Sequence, residues 1–288
     1  MKHKIGISVV VTVYNKENSI KKCLDSILSN NIDNIEIIVV DDKGTDGSMN
    51  IVNDYAIKYP IIKIVTNETN MGCGYSRYIG IKNSTKEWIS FIDADDYVSN
   101  DYFQNFVDYL KTDETCEFIS CHVETVSKRR VVYSKYYDGN FHVFNSNEFL
   151  DKYDDYTLHF LNPALVKREL FNKIDYCKSR IMEDMPTALM LLALVDKYVR
   201  IPGKNYFYCL DNSGIAASFD YLKKNIFLYY NYMQSLNIIK KINNDKFKEF
   251  YNFINSKFQK DKQMFAYLNK IEVNIYADMI DEINRFFI

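Results

Sequence analysis

Between residues 5 and 96 the chain alternates short β-branched apolar runs with amphipathic stretches, and every apolar run ends in polar or acidic residues. The runs predict buried strands over 5–13, 35–40, 61–66 and 88–92, with helices over 19–28, 49–59 and 74–82 between them. In the first helix Ile20, Cys23, Leu24, Ile27 and Leu28 share one face. Strand, helix, strand repeated in this way implies an α/β fold with a mostly parallel sheet covered by helices on both faces. It also says where ligands sit, because open sheets of this kind bind them outside the carboxyl ends of the strands. Tyr14-Asn15, Asp41-Asp42, Asn67 to Asn70 and Asp93 to Asp96 occupy those ends, so one crevice collects all four.

At 288 residues the chain exceeds a typical single domain, and one large α/β domain with an appendage, or two small domains, is expected. Strands are predicted over 118–126 and 130–136, and a helix over 185–195 behind Glu183-Asp184. From residue 221 onward the chain reads as helical, rich in Tyr, Phe, Lys, Asn and Ile and without Pro or Gly. A net charge of -2 gives no electrostatic footprint for nucleic acid. Six cysteines without a Cys-x-x-Cys pair read as free thiols in a reducing compartment. Cys116, Cys121 and His122 have poor zinc spacing and no evident fourth ligand. The first apolar run stops at Tyr14-Asn15 without a small-residue cleavage site, so no signal peptide is expected. No window approaches the roughly 20 apolar residues of a membrane span. The expected location is the cytoplasm, or the inner face of the cell membrane.

Asp93 and Asp95 carry the sharpest chemistry. Side chains two apart in a strand point the same way, so both carboxylates would face a hard divalent cation that bridges them to a phosphate. The other reading is a solvated acidic turn. Asp41-Asp42-Lys-Gly-Thr-Asp46-Gly-Ser reads as a turn into a helix, where a carboxylate would accept the imide proton of a uracil ring. Asn70-Met-Gly72-Cys-Gly74-Tyr-Ser-Arg77 reads as a glycine-bearing loop whose backbone and helix N-terminus favour a phosphate. It lacks the Gly-Lys-Ser/Thr ending of a P-loop.

In this order and spacing the motifs resemble the family-2 glycosyltransferases of the GT-A fold. Val-Val-Val-Thr-Val-Tyr-Asn-Lys-Glu at 9–17 looks like their opening strand, and Val-Val-Asp-Asp-Lys-Gly-Thr-Asp-Gly-Ser at 39–48 is similar to their second motif, with Lys43-Gly44 for the commoner Gly-Ser. The run from Asn70 to Ile81 resembles the third, and Phe-Ile-Asp-Ala-Asp-Asp at 91–96 the Asp-x-Asp motif. The resemblance implies a GT-A domain over 1–215, with a nucleotide-sugar half at 1–100 and an acceptor half at 101–215, followed by a helical extension at 216–288. Thr12 and Tyr14 would touch the base or ribose, Asp42 or Asp41 the uracil edge, and Arg77 the base or phosphate region. Asn70 and Gly72 belong to the phosphate-side loop. Asp93 would contact the ribose or the metal-bound diphosphate, Asp95 would ligate Mn²⁺ or Mg²⁺, Ala94 sits between them, and Asp96 is a further partner.

The resemblance also implies that Asp184 is the general base, in an acidic pair before the acceptor-side helix; its other reading is a helix N-terminal acid next to Pro186. Asn162-Pro163 and Cys209 depart from the family pattern, and a basic residue is expected where Cys209 stands, leaving metal or Lys204 to hold the departing diphosphate. The activity implied is an inverting single displacement from a UDP-sugar to a hydroxyl of a glycan or lipid-linked acceptor, giving a β-glycoside of a surface polysaccharide or lipooligosaccharide. A non-catalytic nucleotide-sugar-binding or assembly partner is the alternative. A haloacid-type phosphatase would carry its Asp-x-Asp on the first strand rather than the fourth, and a nucleotidyltransferase would show a basic glycine-rich N-terminus. The tail lysines and aromatics would either lie on an anionic membrane or pack as core with a solvated face.

Overall fold

The computed structural model describes residues 4–127, 130–132, 139–145, 148–150, 161–210, 221–271 and 277–287. Its first half contains β1 (Ile7–Val13), α1 (Ile20–Leu28), β2 (Ile35–Asp41), α2 (Ser48–Lys58), β3 (Ile62–Thr66), α3 (Cys73–Asn83) and β4 (Trp88–Phe91). The four strands are parallel, in the order β3-β2-β1-β4. Val13 pairs with Asp41 and Asp41 with Thr66, so three carboxyl ends finish level. Alternate residues of β1 feed opposite faces: Val9, Val11 and Val13 pack with Ile20, Leu24 and Ile27 of α1, whereas Val10 packs with Ile81 of α3. Burial on both faces is why β1 reads as an unbroken apolar run. Helix α3 lies close on β1 through Gly80, where an added Cβ would stand 2.2 Å from Val10 Cγ1.

The second half adds β5 (Tyr97–Val98), α4 (Tyr102–Leu110), β6 (Phe118–Ser127), β7 (Arg130–Val132), β8 (His142–Phe144), β9 (Ala164–Lys167), a 3-10 turn (Arg168–Lys173), α5 (Asp184–Leu192) and β10 (Tyr198–Leu210). The sheet continues as β4-β9-β6-β10-β5, with β7 on β6 and β8 on β10. Here the expectation of a mostly parallel sheet needs refining, because β9 is antiparallel to both β4 and β6 and β5 is antiparallel to β10. Antiparallel neighbours need no helical crossover, which is why the regular strand-helix rhythm fades after residue 115. The predicted strand over 130–136 is seen as Arg130–Val132, and residues 133–136 lie outside the described residues.

The tail forms α6 (Tyr221–Ile242), α7 (Asn244–Ile271) and α8 (Ala277–Phe286). Tyr229, Tyr232, Met233 and Leu236 of α6, Phe250, Ile254 and Phe258 of α7, and Phe287 join the same apolar cluster as Leu189 and Met190 of α5. Tyr229, Tyr232, Phe250, Phe258 and Phe287 are therefore core, each contributing about 1.5–3 kcal/mol of burial. Among the tail lysines Lys240, Lys241, Lys248 and Lys260 are exposed, while the side chains of Lys223 and Lys262 lie outside the described residues. No helix among the described residues is long and apolar enough to cross a membrane.

Candidate active site

The turn after β4 is tight: the Asp96 backbone N–H donates to the Asp93 carbonyl at 2.9 Å. It gathers Asp93, Asp95 and Asp96, one carboxylate oxygen of each lying within 4.8 Å of the others. Asp96 faces inward. Its Oδ2 accepts from Tyr206 Oη at 2.6 Å and its Oδ1 from the Cys209 backbone N–H at 2.8 Å, so the turn is bolted to β10. Asp93 accepts from Arg77 Nη2 at 2.6 Å and from Asn162 Nδ2 at 2.6 Å. Asp95 keeps an open side, and its Oδ2 pairs with Lys16 Nζ at 2.6 Å. Burial and the like charge of Asp93 push the Asp95 carboxyl above the usual range, with Lys16 opposing. Asp96 is pushed well above it by burial and by both neighbours. Three crowded carboxylates repel one another, and the 4.8 Å span is about twice the 2.0–2.6 Å bond of a hard divalent cation to oxygen. The all-oxygen donor set fits Mn²⁺ or Mg²⁺, and Asp93 and Asp95 are its two half-buried members.

Arg77, expected toward the base or phosphate region, is engaged by protein groups. It is buried, and its guanidinium joins Glu183 through Nη1, Asp93 through Nη2, and Asn162 Oδ1 at 3.1 Å. The arginine is thus a bolt between the acid turn and the acidic pair. Burial pushes the Glu183 carboxyl up to about 7, with Arg77 as the main opposing charge. Asp184 opens α5 and is half-buried; burial raises its carboxyl above the usual range, again against Arg77. The residue before the pair, Met182, has φ 55, a left-handed conformation that a non-glycine side chain adopts at a cost. Helix α6 holds that strained corner: Asn231 Nδ2 donates to the carbonyls of Ile181 at 3.2 Å and Met182 at 3.0 Å.

The glycine loop packs against another segment of the chain. Gly72 has φ +90, and a Cβ there would meet Arg180 Cα at 2.8 Å; at Gly74 it would meet the Ser179 carbonyl at 2.3 Å. The Ser179 carbonyl accepts from the Gly74 N–H at 3.2 Å. Both glycines make room for the segment 177–183, so the N-terminus of α3 is covered by protein rather than open to a phosphate. Asn70 is held there too, its carbonyl accepting from Arg180 Nη1 at 3.1 Å and its side chain from Nη2.

Asp42 is buried, and accepts from Met71 N at 2.7 Å, Gly72 N at 2.9 Å and Asn67 Nδ2 at 2.8 Å. It shapes this loop, whereas Asp41 is half-buried at the crevice with one oxygen accepting from the Lys43 N–H at 2.9 Å. Thr12 and Tyr14 are half-buried at the end of β1, with Thr12 Oγ1 3.6 Å from Cys73 Sγ. Ala94 is buried with its methyl in the core beside Val98 and Tyr206.

Several site residues were missed from sequence. Asn162, read only as a departure from pattern, orients Asp93; Tyr206 orients Asp96; and Cys209 contributes its backbone N–H. Tyr208, two residues beyond Tyr206 and 40% exposed, lies within electrostatic reach of Asp96, Asp93, Asp95 and Asp184, and its hydroxyl is pushed up to about 12, chiefly by burial. Asn231 had a faint signal, an amide inside an apolar helical face. The side chain of Lys204 lies outside the described residues.

A two-faced α/β sheet whose strand ends meet an acidic turn, extended by antiparallel strands and closed with helices, defines a GT-A fold. A structure of S. aureus TarS residues 1–349 in complex with UDP-GlcNAc superposes with a TM-score of 0.75 at 17% identity, covering 98% of this chain and 80% of that one. The mannosyltransferase PcManGT from Pyrobaculum calidifontis, in complex with GDP-Man and Mn2+, gives 0.55 at 18% identity over 98% and 80%. The poly(ribitol-phosphate) beta-glucosyltransferase of Bacillus spizizenii is 37% identical over 112 residues, 38% of this chain and 18% of that protein. Residues 8–175, more than half of the chain, match Glycosyl transferase family 2, and the chain belongs to that family. It spans only 18–29% of the length of three curated relatives that it matches.

Proposed function

We propose that this family-2 glycosyltransferase moves a sugar from a UDP-sugar to a hydroxyl of a glycan or lipid-linked acceptor, with inversion, in the assembly of a cell-surface polymer. The observation that carries the reading is the Arg77 bolt, which ties Asp93 of the acid turn and Glu183 of the acidic pair to one guanidinium. Donor half (1–100) and acceptor half (101–215) then act across a single crevice, with 216–288 as a helical extension. The poly(ribitol-phosphate) specificity of one relative and the UDP-GlcNAc bound by TarS support a hexosyl or N-acetylhexosaminyl donor and a teichoic-acid-like acceptor.

In this reading Thr12, Tyr14 and Asp41 bind the nucleoside, and Asp42 and Asn70 hold the loop that frames it. Asp93 and Asp95 would hold Mn²⁺ or Mg²⁺, which when bound supplies Lewis-acid stabilisation of the charge developing on the departing UDP. Asp184 takes the proton of the acceptor hydroxyl as that oxygen attacks the anomeric carbon from the face opposite UDP, so an α-linked donor yields a β-glycoside. A carboxylate with a raised pKa is a better proton acceptor near neutrality, and such a base contributes on the order of 10²–10⁴-fold. Exposed Lys240, Lys241, Lys248 and Lys260 support peripheral contact with an anionic membrane that carries the acceptor.

The test is UDP release from a panel of UDP-sugars with Mn²⁺ and acceptor glycans, comparing wild type with Asp184→Asn. Transfer should drop at least about 100-fold while UDP affinity holds. Near-normal turnover in the variant would refute the base assignment, and UDP binding without any release would favour the assembly-partner reading.

A further inference from the structure

Lys16 has no role in the reading above, yet it stands against the acid turn. Its side chain is 14% exposed and its Nζ lies 2.6 Å from Asp95 Oδ2, itself 21% exposed. The backbone beneath it is pinned: the Lys16 N–H donates to Ser48 Oγ at 2.7 Å, and its carbonyl accepts from Ser19 N at 3.0 Å and Ile20 N at 2.9 Å. Asn15, just before it, takes φ 53 and accepts from the Thr45 N–H at 2.7 Å. Only the four-carbon stem is left to pivot. An ammonium on such a stem is a compact charge with rotatable donors and a good partner for phosphate.

A divalent cation at Asp95 and the Lys16 ammonium compete for the same carboxylate. We propose that Lys16 is a diphosphate-binding residue that rests on Asp95 until a cation takes that carboxylate, and then passes to the diphosphate of the donor. This inference rests on the UDP and metal reading of the site. It supplies a cation at the same acid turn that the Cys209 backbone N–H bonds, where the resemblance leads one to expect a basic residue at Cys209. It also makes cation and nucleotide binding cooperative. Each displaces or engages Lys16, and by linkage each then tightens the other by the same factor.

The experiment uses the full chain with Mn²⁺ and UDP as separate probes, following free Mn²⁺ by EPR and UDP by calorimetry. Without UDP, Lys16→Gln should bind Mn²⁺ about fivefold or more tighter than wild type, the lower end of ordinary coupling. Without metal, Asp95→Asn should bind UDP about fivefold or more tighter than wild type, because Lys16 is released, and Asp95→Asn combined with Lys16→Gln should lose that gain. Unchanged or weaker Mn²⁺ binding by Lys16→Gln would overturn the inference, as would equal UDP affinity of the single Asp95 variant and the double variant. Should thermal melting show Lys16→Gln to be unfolded, the metal-free comparison of Asp95→Asn with wild type decides, and no gain in UDP affinity overturns it. If no protein binds Mn²⁺ even with saturating UDP, the metal reading falls together with this inference. Mn²⁺ and UDP binding that ignores Lys16 overturns the inference alone.

Discussion

Replacing Arg77 with Met removes the charge that holds two halves of the site together while keeping most of the side-chain volume. The guanidinium is buried and serves Glu183, Asp93 and Asn162, and the side chains of Arg77 and Glu183 are each only 5% exposed. Breaking a buried ion pair from one side costs about 3–5 kcal/mol, because the remaining charge has no partner. Glu183 has an escape, which is to take up a proton. Its carboxyl already sits at about 7 against an ordinary 4.5, and losing Arg77 pushes it higher. A folded-state pKa above the unfolded one gives stability that is full below the unfolded value and is lost as pH rises through the folded value. In wild type the Glu183 contribution is therefore lost between about 4.5 and 7, whereas in the variant the loss runs on above 7 at up to about 1.4 kcal/mol per pH unit. The expected cost is about 1–3 kcal/mol at pH 6, from the hydrogen bonds lost at Asp93 and Asn162, rising toward 3–5 kcal/mol at pH 8. Urea unfolding followed by circular dichroism at both pH values measures it. A cost below about 1 kcal/mol at pH 8, or one that does not change with pH, would refute the reasoning.

Glu36 accepts from Ser8 Oγ at 2.6 Å, Lys63 Nζ at 2.8 Å and Thr85 N at 2.6 Å, and these partners hold its carboxyl down at about 2 against the opposing effect of burial. Glu36→Gln should lose about 1–3 kcal/mol at pH 7, and should flatten the wild-type fall in urea midpoint as pH drops from about 4.5 toward 2. Asn231→Leu leaves the Ile181 and Met182 carbonyls without their amide donor; kcat should fall with UDP affinity unchanged, and a normal kcat would separate α6 from the base. Replacing Lys240, Lys241, Lys248 and Lys260 with Gln should reduce flotation with anionic vesicles, and unchanged flotation would end the membrane reading.

The nucleotide half was legible because its strands are buried on both faces and each signals itself without help from the rest of the chain. Predicted 35–40 differs from Ile35–Asp41 by one residue at its end, and predicted 49–59 from Ser48–Lys58 by one residue at each end. Beyond residue 115 the strands pair across long separations, antiparallel for Phe118 with Val166 and parallel for Ile119 with Val199, and no local period records such a partner. The tail was legible as helix, but its aromatics were ambiguous, since the same residues suit a lipid surface or a core. Packing decides that: Phe258 and Phe287 stack, Tyr229 meets both edge-to-face, and all three join the apolar cluster that holds Leu189 of α5.

For the site, sequence marked positions well and allegiances poorly. Arg77 joins Asp93 to Glu183, and Asp95 stands in the same acid turn as Asp93. Yet Arg77 faces Glu183, 106 residues away, and Gly72 and Gly74 yield to Arg180 and Ser179 rather than to a ligand. The physical reason is common to all of them. A motif records which side chain must stand at a strand end, while a buried charge is defined by who neutralises it, and that partner comes from whichever segment the fold brings alongside. Arg77 satisfies Asp93 and Glu183, and Lys16 satisfies Asp95, leaving Asp184 as the half-buried member of its pair, without a cationic side chain bonded to its carboxylate among the described residues. A base needs that condition, because a carboxylate already held by a cation is a poor acceptor of a proton.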